Sequence, residues 1–255
     1  MGVRAVSGEA LHVESWGAGT PVVLVHGSLA TGAEEWEAQR PLADEGFRLL
    51  VPDRRGYGRS AAGCAGEDFL RDAEDIVALM GDGAHLVGHS YGGLGVLFAA
   101  ARRPEATLSL TVLEPGTFGL GHGHPAARRL VETVQAIWDD DVSDEDWVVA
   151  FLRAVGSDPD GFPPEFLAAA VALVPVFRGG RPIWDADLPL DELRAAPFPK
   201  LVVSGGHHTG FDAICDELAR RIGAGRAVIE GCGHEIQFTG PPINDALRAV
   251  WGASG

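Results

Sequence analysis

The sequence predicts an α/β protein in which helices cover a mostly parallel sheet. Short apolar runs rich in β-branched residues alternate with longer amphipathic segments, the pattern typical of repeated strand–helix–strand units. The content of 46% hydrophobic and 22% charged residues is typical of a folded globular chain. With 255 residues, the chain is long enough for one large α/β core that carries an insertion.

The predicted core elements follow one another in that alternating order. The short apolar runs bounded by turn residues predict strands at 11–15, 22–25, 49–51, 85–87, 108–113, 201–203 and 227–229. The amphipathic segments between and after them predict helices at 34–43, 69–80, 91–103, 211–222 and 244–251.

One connection is much longer than the others. About 85 residues separate Glu114 from the strand at 201–203, whereas a helix-to-strand connection usually takes about 2 to 6 residues. Apolar periodicity inside this segment predicts helices at 125–138, 143–155 and 164–173. We therefore expect a core domain of residues 1–115 and 197–255, and a helical cap of residues 116–196 over the strand ends where ligands bind in such sheets.

The charge balance indicates which partners to expect. Acidic residues outnumber basic residues 36 to 20, for a formal net charge of -16, which disfavours binding to nucleic acid or to an anionic membrane surface. A small-molecule substrate is the expected partner. We also expect a cytoplasmic protein, because the sequence has neither an apolar run of roughly 18 to 20 residues nor the pattern of a signal peptide.

Metal and cofactor sites are not predicted. Cys64, Cys215 and Cys232 are odd in number and far apart, which indicates reduced thiols rather than a disulfide framework or a zinc site. The paired histidines at 122 and 124, and at 207 and 208, lack a third ligand at a diagnostic spacing. Neither GxxxxGK nor GxGxxG occurs, so no phosphate-binding loop is expected.

The segment from His85 to Leu94 carries the strongest chemical signal. It places Ser90 in a GxSxG motif between an apolar strand and a helix. A nucleophile at such a turn has a strained backbone, and Gly88 and Gly92 provide the space that this turn needs. The alternative is that Ser90 only caps the helix, but the strand before it and the helix after it favour a nucleophile.

Four motifs together resemble those of the α/β-hydrolase superfamily: VVLVHGS at 22–28, VPDRRGYGRS at 51–60, GHSYGG at 88–93 and GCGHEIQ at 231–237. The resemblance extends over nearly the whole chain and is greatest to compact, capped esterase-like members. It implies an eight-stranded, mostly parallel sheet, a cap after the sixth strand, and a Ser, acid, His triad in that chain order. It also implies structural roles for His26 and His89, and a tight connection after a strand for Arg54 and Arg55, with Asp53 pairing locally.

His234 is the predicted catalytic base. It lies in a Gly-rich loop between the last predicted strand and the last helix, which matches the family's catalytic histidine. A serine needs an imidazole within hydrogen-bond reach to act as a nucleophile.

The triad acid departs from the common pattern. Many relatives have an aspartate three residues after a glycine that follows the strand equivalent to 201–203, but here that count from Gly205 reaches His208. Some members take the acid from the end of the preceding strand, which here is Glu114. We predict Glu114, with Asp212 as the alternative, because Asp212 lies at the start of a predicted helix where capping is its simpler role.

The oxyanion hole is expected to consist of the backbone N–H groups of Ser28 and Tyr91. The Ser28 hydroxyl is a further candidate for substrate contact. In the cap, Trp138, Trp147, Phe151, Phe162, Phe166, Phe177 and Trp184 predict an aromatic core, part of which lines an apolar pocket.

These features predict a serine hydrolase that cleaves a carboxylic ester, lactone or thioester of a small apolar substrate through an acyl-enzyme on Ser90. An alternative is the same fold acting as a cofactor-free lyase, a perhydrolase or a C–C bond hydrolase. A second alternative is a non-enzymatic ligand-binding module. The serine argues against a dehalogenase of this fold, whose nucleophile would be an aspartate.

Overall fold

A computed structural model describes residues 4–6, 9–60 and 66–252. The described strands are β1 (Arg4–Val6), β2 (Glu9–Leu11), β3 (Val13–Gly17), β4 (Thr20–Val25), β5 (Phe47–Pro52), β6 (Ala84–His89), β7 (Thr107–Leu113), β8 (Lys200–Ser204) and β9 (Gly225–Val228). The described helices are α1 (Gly32–Glu35), α2 (Phe69–Met80), α3 (Ser90–Arg102), α4 (Pro125–Trp138), α5 (Asp144–Ala154), α6 (Pro164–Arg178), α7 (Leu190–Ala195), α8 (Thr209–Ile222) and α9 (Pro241–Gly252).

The main sheet confirms the predicted fold class. Its described part has seven strands in the order β3-β5-β4-β6-β7-β8-β9, and only β3 runs antiparallel to its neighbour. Strands β1 and β2 form a separate antiparallel pair. The eight-stranded sheet that the family resemblance implies is therefore, within the described residues, a sheet of seven strands and a small hairpin.

Side chains alternate between the two faces of this sheet. Val23 and Val25 of β4 pack into a core with α2, α3, α7 and α8, whereas Val22 and Leu24 pack into a second core with α9. Every residue of β6 is buried, as expected for a central parallel strand covered on both faces. The strand that leads to Ser90 is thus held firmly from both sides.

Helices α4 to α7 lie between β7 and β8, which correspond to the predicted strands at 108–113 and 201–203. The predicted insertion of helices at this point is confirmed. A third apolar core joins α4, α5 and α6 to the sheet-flanking layer, where Phe69, Tyr91 and Leu94 contribute. Helices α2 and α4 have the predicted bounds.

The predicted helix at 34–43 is wrong in type. The chain forms only the short α1 and then a 3-10 helix at Glu37–Glu45, which contains Pro41. Proline removes a backbone donor and clashes with the preceding turn, so a continuous α-helix is disfavoured there. Helix α7 was not predicted. Within the described ranges, no helix combines the length and apolar character needed to cross a membrane.

Candidate active site

Ser90 lies at a sharp turn between β6 and α3. Its φ angle is +50°, in the left-handed region that a serine seldom adopts. A Cβ on Gly88 would lie 2.6 Å from Cγ2 of Val96, and one on Gly92 would lie 2.3 Å from the carbonyl oxygen of His26. The two glycines therefore provide the clearance that the sequence predicted around a strained nucleophile.

His234 lies beside Ser90. Its Nε2 is 3.1 Å from Oγ of Ser90, and its ring stacks on Phe211 with 4.7 Å between the ring centroids. Burial, with a smaller effect from the neighbouring His89, lowers the pKa of His234 to about 3. The imidazole is therefore neutral near pH 7 and can accept a proton from the serine.

Glu114 binds the opposite nitrogen of the same ring. It follows β7 directly, has a φ angle of +36° and is completely buried. Its Oε2 lies 2.7 Å from Nδ1 of His234, and its Oε1 accepts a hydrogen bond of 2.7 Å from the N–H of Gly205. Burial raises the pKa of Glu114 to about 7.

Asp212, the alternative acid, lies elsewhere. Its carboxylate accepts a hydrogen bond from Oγ of Ser204 and faces Arg226 at 3.5 Å, and its side chain is 31% exposed. The expected capping role is also wrong, because the ring of His208 accepts the N–H of Gly210 at the start of α8. The structure thus brings Glu114, and not Asp212, to His234.

The backbone donors predicted for the oxyanion hole lie at the same edge of the sheet. Ser28 follows β4 and Tyr91 is the second residue of α3, and within the described chain neither N–H group donates a hydrogen bond. A Cβ on Gly27 would lie 3.1 Å from Cβ of Ser90, so this glycine lets the loop after β4 approach the serine closely. Both N–H groups are therefore unpaired close to Ser90.

Ser28, whose hydroxyl was a candidate for substrate contact, lines the cavity beside Ser90, but its hydroxyl is bound to a protein side chain. It donates to Oε1 of Glu67 at 2.8 Å, and the same carboxylate accepts hydrogen bonds from Tyr57 and Arg54. Because all of these side chains are buried or nearly so, the hydroxyl serves to fix the loop that carries the Ser28 N–H.

Buried ion pairs account for the Arg54-Arg55 run. Arg54 pairs with Asp72 as well as Glu67, and Arg55 pairs with Asp75. Asp53 does pair locally, since it accepts the N–H of Arg59, although it also accepts the N–H of Gly32 and contacts His12.

A small apolar cavity adjoins Ser90. Its volume is about 40 Å³, and Phe238 at its edge is 44% exposed. No lysine or arginine is among the described residues that line it. Helices α5 and α6 and the segment between them supply most of the apolar wall: Phe151, Leu152, Val155, Phe162 and Phe166.

The described histidines, cysteines and acids do not form a metal site. The part of the chain that the structure describes contains no group of three His, Cys, Asp or Glu side chains able to hold a metal ion. Cys215 is buried and Cys232 is half-buried, both as free thiols, and Cys64 lies outside the described residues.

The profile of the alpha/beta hydrolase family matches residues 22–246. This protein belongs to the alpha/beta hydrolase family.

Similar proteins within the family carry several different activities. A bifunctional esterase/perhydrolase of Acinetobacter calcoaceticus is 34% identical over 117 residues, which are 44% of this chain and 42% of the relative. A 2-hydroxy-6-oxo-6-phenylhexa-2,4-dienoate hydrolase of Comamonas testosteroni is 26% identical over 89% of this chain and 86% of its own. The solved structure of an N-acyl homoserine lactone degrading enzyme is 28% identical, with a TM-score of 0.64 over 97% of this chain and 98% of its own.

The match to the first of these curated relatives spans less than half of that protein's length. Membership of the family rests on the profile match over residues 22–246. The similar proteins named as esterases and hydrolases indicate that this protein is a hydrolase.

The sequence analysis missed Glu35 and assigned His89 only a packing role. Glu35 is one of two adjacent acids at the start of a short helix, with no motif around it. Its burial beside His89 is a tertiary feature that no local pattern signals.

Proposed function

We propose that this protein is a serine hydrolase that cleaves small, uncharged carboxylic esters or lactones through an acyl-enzyme on Ser90. The observation that carries the proposal is the position of His234, whose Nε2 lies 3.1 Å from Oγ of Ser90 while its Nδ1 lies 2.7 Å from Glu114. A serine, a base and an acid in this order form the arrangement that activates a hydroxyl for attack on a carbonyl.

The reaction begins with attack of Oγ of Ser90 on the carbonyl carbon, while the serine proton passes to Nε2 of His234. The N–H groups of Ser28 and Tyr91 stabilise the oxyanion that forms. Glu114 stabilises the His234 imidazolium, which then gives its proton to the leaving alkoxide. Water activated by His234 attacks the acyl-enzyme and releases the acid.

The cavity supports the substrate class. Its volume of about 40 Å³ is far below the roughly 300 to 1,000 Å³ typical of sites for larger ligands, which favours a short acyl group. The apolar wall from α5 and α6 leads us to infer that residues 116–196 act as a cap over this site. A small-molecule substrate is accordingly the partner that we propose.

Charge argues against a carboxylate-bearing substrate. The dienoate in the name of the Comamonas testosteroni relative is a carboxylate, whereas the described residues that line the cavity include no lysine or arginine and do include the acids Glu35 and Glu235. His89 also lines it, but both of its ring nitrogens already contact protein groups, Glu35 and the backbone carbonyl of His234. A buried carboxylate without a cationic partner is strongly disfavoured. An uncharged ester or lactone is therefore the better candidate, in line with the esterase and lactone-degrading homologues.

The test combines turnover and covalent labelling. The purified protein is expected to hydrolyse p-nitrophenyl acetate and to form a single phosphonate adduct that peptide mass spectrometry locates at Ser90. Ser90→Ala is expected to abolish both, whereas Ser204→Ala, at another buried serine next to a strand end, is expected to keep both. An adduct elsewhere, or tight binding of intact ester without turnover, would contradict the proposal and favour a binding module.

A further inference from the structure

His89, the residue before Ser90, has a hydrogen-bond partner on each ring nitrogen. Its Nε2 lies 3.0 Å from the backbone carbonyl oxygen of His234, and its Nδ1 lies 3.1 Å from Oε1 of Glu35. A carbonyl oxygen can only accept a hydrogen bond, so Nε2 of His89 carries a proton. The state of the ring then depends on the contact with Glu35.

Glu35 also has both oxygens engaged. Each lies 3.0 Å from the backbone nitrogen of Gly27, whose N–H they accept. The 3.1 Å contact to Nδ1 of His89 requires a second proton, located between the ring and the carboxyl group. A free imidazole holds its proton to a pKa of about 6.5 and a free Glu carboxyl group only to about 4.3, so this proton belongs on the ring.

We propose that His89 is a buried imidazolium, paired with the Glu35 carboxylate, that positions the loop of the catalytic histidine against the loop of the oxyanion hole. One end of the pair holds the carbonyl of His234, and the other holds the N–H of Gly27, next to Ser28. The pair thus sets the distance between His234, the base, and the N–H of Ser28, the oxyanion donor, which lie on either side of Ser90. This role rests on the proposed function, but the protonation state does not.

The surroundings of the ring favour the charge. Glu35 contacts it from α1, Glu235 acts on it from the loop after β9, and Glu114 acts on it from the end of β7. Burial is the largest single effect and acts against the charged form, but Glu35, Glu235 and Glu114 together outweigh it, so the pKa of His89 is raised. The two other facing groups are imidazoles, those of His234 and His26, whose pKa values burial lowers, so both are neutral near pH 7.

The charge has a consequence for the base and the acid. After burial, the proximity of His89 is the next largest cause that lowers the pKa of His234, and it also acts against the rise in the pKa of Glu114. Both effects keep His234 neutral and Glu114 ionised as the pH falls. His89 is therefore a positioning residue with an electrostatic effect on the pair beside it.

The protonation state can be measured without any substrate. In protein labelled with 15N-histidine, the His89 ring is expected to show two protonated nitrogens at about pH 8, where an ordinary histidine is neutral. Loss of the signal in His89→Gln identifies it. His85, on the same strand, is the matched control, because burial lowers its pKa to about 4 and it is expected to show a single protonated nitrogen. A single protonated nitrogen on His89 would overturn the proposal.

The positioning role is tested by Glu35→Gln, which keeps the size of the side chain and removes its charge. We expect kcat to fall about 10- to 100-fold with a smaller change in KM. We also expect the acid limb of kcat/KM to move to higher pH, because loss of the His89 charge raises the pKa values of both His234 and Glu114. Loss of the Glu35 charge opposes this rise at His234, but its effect there is smaller than that of His89. His85→Gln is expected to leave this limb in place.

An unchanged limb in Glu35→Gln, even with lower activity, would indicate a merely structural role and reject the proposal. If Glu35→Gln does not fold, the 15N measurement on the unchanged protein still decides the protonation state. If the protein has no esterase activity, the same measurement separates failure of the proposed function from failure of this inference.

Discussion

Oε2 of Glu114 lies 2.7 Å from Nδ1 of His234, although 120 positions separate the two residues in the sequence. The contact is possible because β7 and β8 are parallel neighbours, whose carboxyl ends meet at one edge of the sheet. An acid that follows β7 therefore reaches the ring that an acid following β8 would reach. Glu114 occupies this position, and the loop after β8 contributes the N–H of Gly205 to its other oxygen.

Glu114→Gln is expected to lower kcat by about 10³- to 10⁴-fold. The amide keeps the volume but cannot stabilise the imidazolium, and it can present a donor to the wrong nitrogen of His234. Steady-state kinetics on p-nitrophenyl acetate measure the loss, and circular dichroism verifies the fold. Asp212→Asn is the matched control, and we expect it to retain activity because its carboxylate contacts Ser204 and Arg226 instead. The reverse ranking would assign the acid to Asp212.

The pH dependence of kcat/KM is expected to follow the ionisation of Glu114. Burial raises its pKa to about 7, and only the ionised carboxylate stabilises the His234 imidazolium. Activity should therefore rise with pH through about 7 and then level off, falling about tenfold per pH unit on the acid side. A profile of kcat/KM from pH 5 to 9 on a substrate that does not ionise measures this limb. A profile that is flat down to pH 5 would contradict the raised pKa.

Gly92→Ala is expected to destabilise the protein and to reduce kcat. The added Cβ would lie 2.3 Å from the carbonyl oxygen of His26, on the loop that leads to Ser28. Such overpacking costs about 1 to 3 kcal/mol, and it displaces the oxyanion loop as well. Urea denaturation gives the loss of free energy of unfolding.

The control for this substitution is Gly83→Ala, whose Cβ would meet its nearest atom, Cδ2 of Leu108, at an ordinary 3.4 Å. We expect it to leave stability and kcat close to those of the unchanged protein. Equal effects of the two alanines would show that the close approach at Gly92 is unimportant.

Phe162→Ala is expected to shift the preferred substrate towards longer acyl chains. Phe162 stacks on Phe166 with 4.5 Å between ring centroids, and both line the cavity of about 40 Å³ beside Ser90. Removing one ring enlarges this space, so the ratio of kcat/KM for p-nitrophenyl hexanoate to that for acetate should increase about tenfold or more. Phe177→Leu, in the aromatic core of the same helices but outside the cavity lining, should leave the ratio unchanged.

Local signals in the sequence were enough to predict most of the helices and strands and the turn at Ser90. Helices at 69–80 and 125–138 have their predicted bounds, because apolar periodicity and end signals act within a few turns. The strained turn depends on Gly88 and Gly92, which are within two positions of the serine. The predicted α-helix at 34–43 is wrong because a single residue, Pro41, disfavours an α-helix despite the apolar periodicity around it.

Local signals could not predict contacts between segments that are distant in the sequence. Glu114 and Asp212 both follow the right strands, and only the packed sheet places one of them against His234 while the other faces Arg226. The pairing of Glu35 with His89 joins positions 54 residues apart. Periodicity and turn chemistry specify how each segment folds, whereas strand order, burial and the need to satisfy buried charges select which side chains meet, and these exist only once the chain is packed.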